Sequence, residues 1–123
     1  MGAWWHWVAL FAAGGCGACL RHALSAAIDR WGGALPHAGT LAVNALGCLA
    51  IGALATLLVP GPARVIVLAG LLGGLTTYSS FALLTVDLAG SGRWGAAAWQ
   101  VGLHVVGGAL LVVLGARLAA SLR

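Results

Sequence analysis

The sequence predicts an all-α membrane protein with four transmembrane helices, and three observations support this fold class. Hydrophobic residues make up 62% of the chain and charged residues only 7%, whereas about a quarter of an ordinary soluble domain is charged. The mean hydropathy is +1.04. Four apolar segments follow one another, each near the roughly 20 residues that a helix needs to cross a bilayer. We therefore expect one four-helix transmembrane domain over residues 1–123.

Short polar or helix-breaking joints separate the predicted spans. The spans are approximately residues 4–28, 36–59, 64–87 and 94–117. The first joint contains Asp29-Arg30-Trp31-Gly32-Gly33, the second is Pro60-Gly61-Pro62, and the third runs from Asp87 to Arg93. Clusters of proline and glycine interrupt helices, and joints this short connect neighbouring antiparallel helices. The sequence therefore predicts an antiparallel stack of four helices.

The arginines are divided evenly between the two sides of this stack. The side that carries both termini holds Arg64, Arg117 and Arg123, and the opposite side holds Arg21, Arg30 and Arg93. An excess of Lys and Arg on one side sets the orientation of a membrane protein, and such an excess is missing here. We therefore predict that the protein inserts in both orientations and pairs as an antiparallel, dual-topology dimer.

Tryptophan and glycine are abundant, with 6 and 20 copies. The tryptophans lie near span ends, where an indole ring favours the headgroup layer, so we expect them to anchor the protein at the membrane surface. Small residues recur at four-residue spacings in the pairs Ala13 and Gly17, Gly70 and Gly74, and Gly115 and Ala119. Such spacings create helix faces on which two backbones approach closely.

A run of hydroxyl groups lies in the middle of the third span, over residues 76–80. On the second span, Thr40 and Asn44 are four residues apart and share one helix face. Asn44 either hydrogen-bonds a neighbouring helix or offers its amide donors to an anion. The two carboxylates, Asp29 and Asp87, fall at predicted span ends, so no buried acid can hold a cation or relay protons. We therefore expect a pore through this domain to suit an anion.

Two aromatic residues and two glycines flank or interrupt the hydroxyl run. Tyr78 and Phe81 are three residues apart and share a helix face. They either pack in the core or present their electropositive ring edges to an anion. Gly73 and Gly74 weaken the helix, and the following hydroxyls compete for its backbone. We therefore expect the third span to be broken at mid-membrane, with freed carbonyls that line water or hold Na⁺ or K⁺.

Three segments, taken together and in this order, resemble the Fluc (CrcB) fluoride channels. They are Gly14 to Arg21 (GGCGACLR), Gly39 to Gly47 with its Asn44, and Gly73 to Phe81 (GGLTTYSSF). The resemblance extends over nearly the whole chain. It implies a fluoride-selective channel that exports fluoride passively through two pores in an antiparallel homodimer, with one central structural Na⁺.

The resemblance also implies roles for single residues. The Na⁺ would bind backbone carbonyls of Gly73 and Thr76 from each subunit. Arg21 matches the arginine that ends the first motif, where it is either structural or draws anions into a vestibule. Asn44 matches a pore asparagine. The predicted fluoride pathway consists of Asn44, Tyr78, Ser79, Phe81, Thr40 and His104.

The chain departs from the family pattern at several of these positions. Tyr78 stands where the family usually has Phe, Leu84 stands near a common glutamate, and Ala82 stands near a common serine. His104 falls close to a family serine. A charged histidine at this depth costs about 2 to 3 kcal/mol or more, so we expect it to be neutral and hydrogen-bonded. It is either an interhelical hydrogen-bonding residue or an anion-facing donor whose protonation near neutral pH alters flux.

The remaining chemistry argues against other functions. Cys16 and Cys19 lack the further ligands that zinc needs, and we interpret them as small apolar filler. The sequence has no paired carboxylates and no nucleophile beside a base, so we do not expect an enzyme. The basic residues are spread over span ends and form no nucleic-acid patch.

Two alternative functions stay open. A small multidrug-type cation antiporter has a similar length and topology, but it needs a membrane-embedded glutamate and this chain contains no glutamate. A non-conducting structural membrane subunit would explain the glycines and tryptophans without the polar run. A heterodimer with a paralogue is a variant of the dimer prediction that the balanced arginines disfavour. We expect a bacterial inner (plasma) membrane, with lipid and fluoride as partners.

Overall fold

The computed structural model describes residues 3–31 and 37–123, and this part of the chain is all-α. We number its helices α1 (Ala3–Trp31), α2 (Ala38–Leu57), α3 (residues 62–75), α4 (Tyr78–Gly90) and α5 (Trp94–Ala120). The segments α1, α2, α3 together with α4, and α5 are each long and apolar enough to cross a membrane. The prediction of four membrane-spanning helical segments is therefore confirmed.

The first predicted joint begins later than the sequence suggested. Asp29, Arg30 and Trp31 form the last turn of α1, while Gly32, Gly33 and the predicted span start at residue 36 lie outside the described residues. Asp29 Oδ1 accepts a hydrogen bond of 2.8 Å from the backbone N–H of Gly39, in the first turn of α2. A carboxylate at a helix N-terminus satisfies an unpaired N–H and complements the helix dipole. The acidic residue therefore fixes α2 against the end of α1.

The third span is broken at its centre, as predicted, but not at the glycines. Thr76 (φ −89°, ψ 157°) and Thr77 (φ −147°, ψ 116°) are extended, and Thr76 is the central residue of the span Pro62–Gly90. Gly73 keeps helical angles of φ −63° and ψ −37°, so the break begins at Thr76, after both glycines. Gly74 serves packing instead, since an added Cβ would collide with the carbonyl oxygen of Gly14.

Two stretches of wide helical turns with π-type hydrogen bonding lie beside the centre of the domain. They are Ile66–Leu72 in α3 and Leu103–Gly107 in α5. Such turns are rare in proteins and often occur at functional sites, because they shift the side chains that follow around the helix axis. The second stretch contains His104.

Glycine contacts hold the helices together in two pairs. In α1 and α3, a Cβ on Gly17 would collide with the carbonyl oxygen of Leu71. In α2 and α5, a Cβ on Gly52 would collide with the Val112 carbonyl, and one on Gly115 would collide with the Leu49 carbonyl. The backbones therefore touch directly at these points. The predicted small-residue contact faces are confirmed, since Gly17, Gly70, Gly115 and Ala119 are all buried.

Replacing Gly115 with alanine tests this packing. The new methyl group meets the Leu49 backbone of α2, which moves only if the whole helix moves, and overpacking of this kind costs about 1 to 3 kcal/mol. We expect Gly115→Ala to lower the thermal unfolding temperature of the protein in detergent micelles. Gly95→Ala is the matched control, because it lies on the same helix and its added Cβ meets nothing within 4 Å. Equal unfolding temperatures for the two variants would contradict the packing argument.

Candidate functional site

A cavity of about 310 Å³ lies beside the break, between α2, the third span and α5. Most of its wall is apolar, with a few polar groups at the level of the break. The predicted site residues on this wall are Asn44, Gly73, Thr76, Tyr78, Phe81 and His104. An apolar pocket with a small number of convergent polar groups is the usual form of a binding site. The structure therefore brings together six positions that are scattered over three predicted spans.

Asn44 is joined to the break by two hydrogen bonds. The backbone N–H of Thr77 donates to Asn44 Oδ1 over 2.8 Å, and Asn44 Nδ2 donates to the Thr77 carbonyl over 3.0 Å. The side-chain amide thus replaces the helical partner that the Thr77 N–H loses by being extended, and it also donates to the Thr77 carbonyl. Of the two interpretations of Asn44, the interhelical hydrogen bond is observed. Because an amide nitrogen carries two hydrogens, this pairing leaves a second N–H of Asn44 at the cavity wall.

Gly47 allows the break to approach α2 this closely. Gly47 is buried one helical turn beyond Asn44, and a Cβ there would collide with the methyl group of Thr76. The second motif of the sequence therefore combines two functions on one helix face. Asn44 binds the extended backbone, and Gly47 makes room for it.

The hydroxyl group of Thr77 begins the next helix. Thr77 is the N-cap of α4, and its Oγ1 accepts a hydrogen bond of 3.2 Å from the backbone N–H of Ser80. The same hydroxyl donates to Ser80 Oγ over 3.1 Å and lies 3.3 Å from Ser79 Oγ. Threonine is a favoured N-cap because its oxygen satisfies one of the unpaired N–H groups of the first turn. Part of the hydroxyl run is therefore used to restart the helix.

The end of α3 presents backbone carbonyls at the same level. In a continuous helix the Gly73 carbonyl would accept from the N–H of Thr77, but that N–H donates to Asn44. The Thr76 carbonyl accepts a hydrogen bond of 3.3 Å from Arg21 Nη1. Freed carbonyls at a helix end are the groups that coordinate alkali cations at membrane depth.

Arg21 lies deeper than the sequence suggested. Its guanidinium is partly buried and contacts the central residue of the third span, and α1 continues beyond it to Trp31, a rise of about 15 Å. The assignment of Arg21 to one membrane surface is therefore wrong, because the side chain binds inside the bundle. The arginine count at the surfaces becomes Arg64, Arg117 and Arg123 against Arg30 and Arg93.

Three aromatic rings form a row along the cavity. The ring centres of Tyr78 and Phe81 are 5.5 Å apart with their planes at 67°, an edge-to-face contact. The ring centres of Phe81 and His104 are 4.4 Å apart with their planes at 24°, a stacked contact. Phe81 is buried, whereas Tyr78 is 79% exposed. In an edge-to-face pair the electropositive edge of one ring lies against the electronegative face of the other, and both rings border the cavity.

His104 is bonded within its own helix and not to another helix. Its Nδ1 lies 3.1 Å from the carbonyl oxygen of Gln100, one turn earlier on α5. Its Nε2 is buried without a hydrogen-bond partner among the described residues, as is Nε2 of Gln100. Buried polar atoms without partners are uncommon and point to a bound water or ion.

Other predicted residues lie away from the cavity wall. Thr40 is half-buried on α2, Ser79 is exposed, and neither borders the cavity. Leu84, near the position of a family glutamate, is buried. Cys16 and Cys19 are exposed thiols, and residues 3–31 and 37–123 contain no group of three or more His, Cys, Asp or Glu that could hold a metal ion.

Sequence reasoning missed three contributors to the site. Cys48 lines the cavity one turn beyond Asn44, Thr77 is the partner of Asn44, and Gln100 positions His104. The signal for Gln100 was available, because Gln100 and His104 are polar residues four apart in an otherwise apolar span. The Asn44 partner was not predictable in detail, because it is a backbone unit.

The chain is similar to known bacterial proteins. The family model described as CrcB-like protein, Camphor Resistance (CrcB), matches residues 8–116. A fluoride-specific ion channel FluC of Chloroflexus aurantiacus is 42% identical over 106 residues, which cover 80% of this chain and 82% of the relative. Its namesake in a Roseiflexus species is 42% identical over 120 residues, covering 93% of both. The fluoride-specific ion channel FluC 1 of Thermobifida fusca is 46% identical over 101 residues, covering 80% and 82%.

These matches bear on two predictions. The relatives are named as ion channels, a class without enzymatic activity, which confirms the prediction that the chain is not an enzyme. Four membrane-length helices together with bacterial channel relatives confirm a multi-pass protein of the inner membrane.

Replacing Asn44 with alanine tests its pairing with the break. The change leaves the Thr77 N–H without its partner and removes a donor from the Thr77 carbonyl, at about 1 to 3 kcal/mol for an unsatisfied buried group. We expect Asn44→Ala to lower the unfolding temperature and to accelerate hydrogen exchange at the Thr77 amide. Thr56→Val is the matched control on α2, because the Thr56 hydroxyl donates to the carbonyl of Gly52 within the same helix. Unchanged exchange at Thr77 in Asn44→Ala would refute the pairing.

Proposed function

Because the chain belongs to the CrcB-like family, whose relatives are named fluoride-specific ion channels, we propose that it conducts fluoride passively across the bacterial inner membrane. The observation that carries this proposal is the mid-span cavity beside a broken helix, with an amide side chain and aromatic rings on its wall. A small anion loses its hydration at such a depth, and donors must replace the lost water.

The charge of the site supports an anion over a cation. The chain has two acidic residues, of which Asp29 caps α2 and Asp87 is exposed near the end of α4. A cation antiporter of the small multidrug type needs an acid within the membrane, so this alternative has no residue to carry it. A purely structural subunit gives no reason for the cavity.

We assign the fluoride pathway to the row of groups along the cavity. The unused N–H of Asn44 and the rims of Tyr78 and Phe81 are the groups that would contact the anion. The phenol of Tyr78 adds a donor that a phenylalanine would lack. Ser79 and Thr40 do not border this cavity. They would contact the anion only at the mouth of the pathway or across a subunit contact.

We propose that the working unit is an antiparallel homodimer with two pores. Each copy exposes many large apolar side chains, among them Phe11, Leu83 and Leu110, and lipid or a second copy would cover them. One membrane surface holds three arginines and the other holds two. This small difference gives only a weak preference for one orientation of insertion. A heterodimer with a paralogue is the less favoured variant.

A central structural Na⁺ fits the carbonyls at the end of α3. The Gly73 carbonyl has lost its helical donor to Asn44, and the Thr76 carbonyl accepts one long hydrogen bond, which leaves it a second lone pair. Carbonyl oxygens are the ligands that alkali cations favour. When bound, such an ion would tie the two broken helices of a dimer together.

Anion efflux from liposomes tests the function. We expect vesicles that contain the purified protein to release fluoride much faster than chloride, and protein-free vesicles to release neither at that rate. Phe81→Leu removes a ring from the cavity wall and should slow fluoride efflux about tenfold, which corresponds to about 1.4 kcal/mol in the barrier. Phe11→Leu changes the other phenylalanine of the chain, which is 83% exposed on α1, and should leave efflux unchanged. Equal fluoride and chloride fluxes would overturn the function.

Accessibility labelling in intact cells tests the dual topology. Single cysteines are introduced at positions 2 and 91, in a background where Cys16, Cys19 and Cys48 are replaced by alanine. Both positions should react partly with a membrane-impermeant thiol reagent, because each lies outside the cell in one of the two orientations. Complete labelling at one position and none at the other would show a single orientation and exclude the antiparallel dimer.

A further inference from the structure

The hydrogen bond of His104 decides which ring nitrogen carries the proton. Nδ1 lies 3.1 Å from the Gln100 carbonyl oxygen, and a carbonyl oxygen only accepts hydrogen bonds. Nδ1 must therefore donate, so the neutral ring has its hydrogen on Nδ1. The other nitrogen, Nε2, then has a lone pair and no hydrogen. A neutral His104 thus cannot offer Nε2 to an anion as a donor, which is the role that a serine at this position would fill.

The surroundings of His104 provide space for one small group. A second cavity of about 10 Å³ is bordered by His104, Asn44 and Cys48, and this volume is near the minimum for one water molecule. Nε2 is buried and has no partner in the described part of the chain. A buried polar atom without a partner, on a residue that borders such a small cavity together with an amide residue, is typical of a site for a water or for an ion of similar size.

Arg21 supplies a fixed positive charge beside the larger cavity, because its guanidinium bonds the carbonyl of the lining residue Thr76, so a second cation there would need an anion next to it. Cys48 of α2 and Tyr78 of α4 are the titratable residues that line the two cavities with His104, and within residues 3–31 and 37–123 neither cavity is lined by Asp, Glu, Lys or Arg. The ring of Phe81 stacks on the imidazole at 4.4 Å. An aromatic face attracts a cation placed above it.

We propose that His104 is a proton-operated anion donor, an inference that rests on the proposed fluoride conduction. In the neutral form the Nε2 lone pair accepts a hydrogen bond from a water that Asn44 also binds. Uptake of a proton from water places a hydrogen on Nε2, and the site then has two donors and a positive charge for one fluoride ion. Because the coupling is reciprocal, fluoride in turn favours protonation of His104. Fluoride flux should therefore rise as the pH falls.

The test compares fluoride efflux from liposomes with equal pH on both sides, from about pH 8 to about pH 5.5. Protein-free vesicles correct for hydrogen fluoride that crosses the lipid unaided. We expect the flux of the wild type to rise about fivefold or more over this range, where histidine changes its charge. His104→Gln and His104→Ser carry donors that do not titrate and should show a flat profile. His22→Gln, which alters an exposed histidine outside both cavities, should keep the profile of the wild type.

The outcomes separate this inference from the function on which it rests. Flux that does not depend on pH in the wild type, or an equal dependence in His104→Ser, would overturn the role of His104 alone. Absence of fluoride flux at every pH would overturn the proposed function and the inference with it. Nitrogen-15 NMR of the purified protein provides a readout without flux. We expect a protonated Nδ1 and an unprotonated Nε2 at high pH, and a larger imidazolium fraction when fluoride is added at fixed pH.

Discussion

The structure depends on the pairing of Asn44 with the backbone of Thr77. A membrane helix cannot be interrupted freely, because each backbone group without a partner in hydrocarbon costs several kcal/mol. Asn44 supplies both a donor and an acceptor to one extended residue, and Thr77 in turn uses its hydroxyl to cap α4. One side-chain amide therefore makes the break possible. Everything at the site, from the freed Gly73 carbonyl to the position of Phe81, follows from where that break lies.

The pairing requires α2 and the third span to lie unusually close, and glycines provide that distance. Gly47 leaves space for the Thr76 methyl group, and Gly74 allows α3 to rest on the Gly14 backbone. Between helices in a bilayer the hydrophobic effect contributes little, so close backbone packing must supply much of the association energy. The polar site therefore depends on the glycines, because only a close approach of the helices allows Asn44 to reach Thr77. The small residues bring the backbones together. The Asn44 amide then hydrogen-bonds the extended residue Thr77 between α3 and α4.

The features that could be predicted from the sequence are those with a local cause. Hydropathy predicted the four spans, and the cluster of polar residues after Gly73 and Gly74 predicted a broken third helix. The residue at which the helix breaks could not be predicted, because glycine suggests weakness in a helix whereas Gly74 is needed for contact with α1. Arg21 was misplaced for a similar reason. The position of Arg21 along α1 can be predicted from the sequence. Its partner, the Thr76 carbonyl, cannot, because that carbonyl is accessible only where the third span breaks and packs against α1.

Arg21 places a positive charge at the level of the break. Its observed hydrogen bond goes to a neutral carbonyl and not to a carboxylate, so the guanidinium keeps its full positive charge near the centre of the span. A charge at this depth is costly, and its field raises the energy of cations and lowers that of anions throughout the low-dielectric interior. The carboxylates that could cancel this field lie near helix ends. For the proposed anion pathway, the Arg21 guanidinium therefore adds a positive charge at the level of the break to the few donors at the cavity wall.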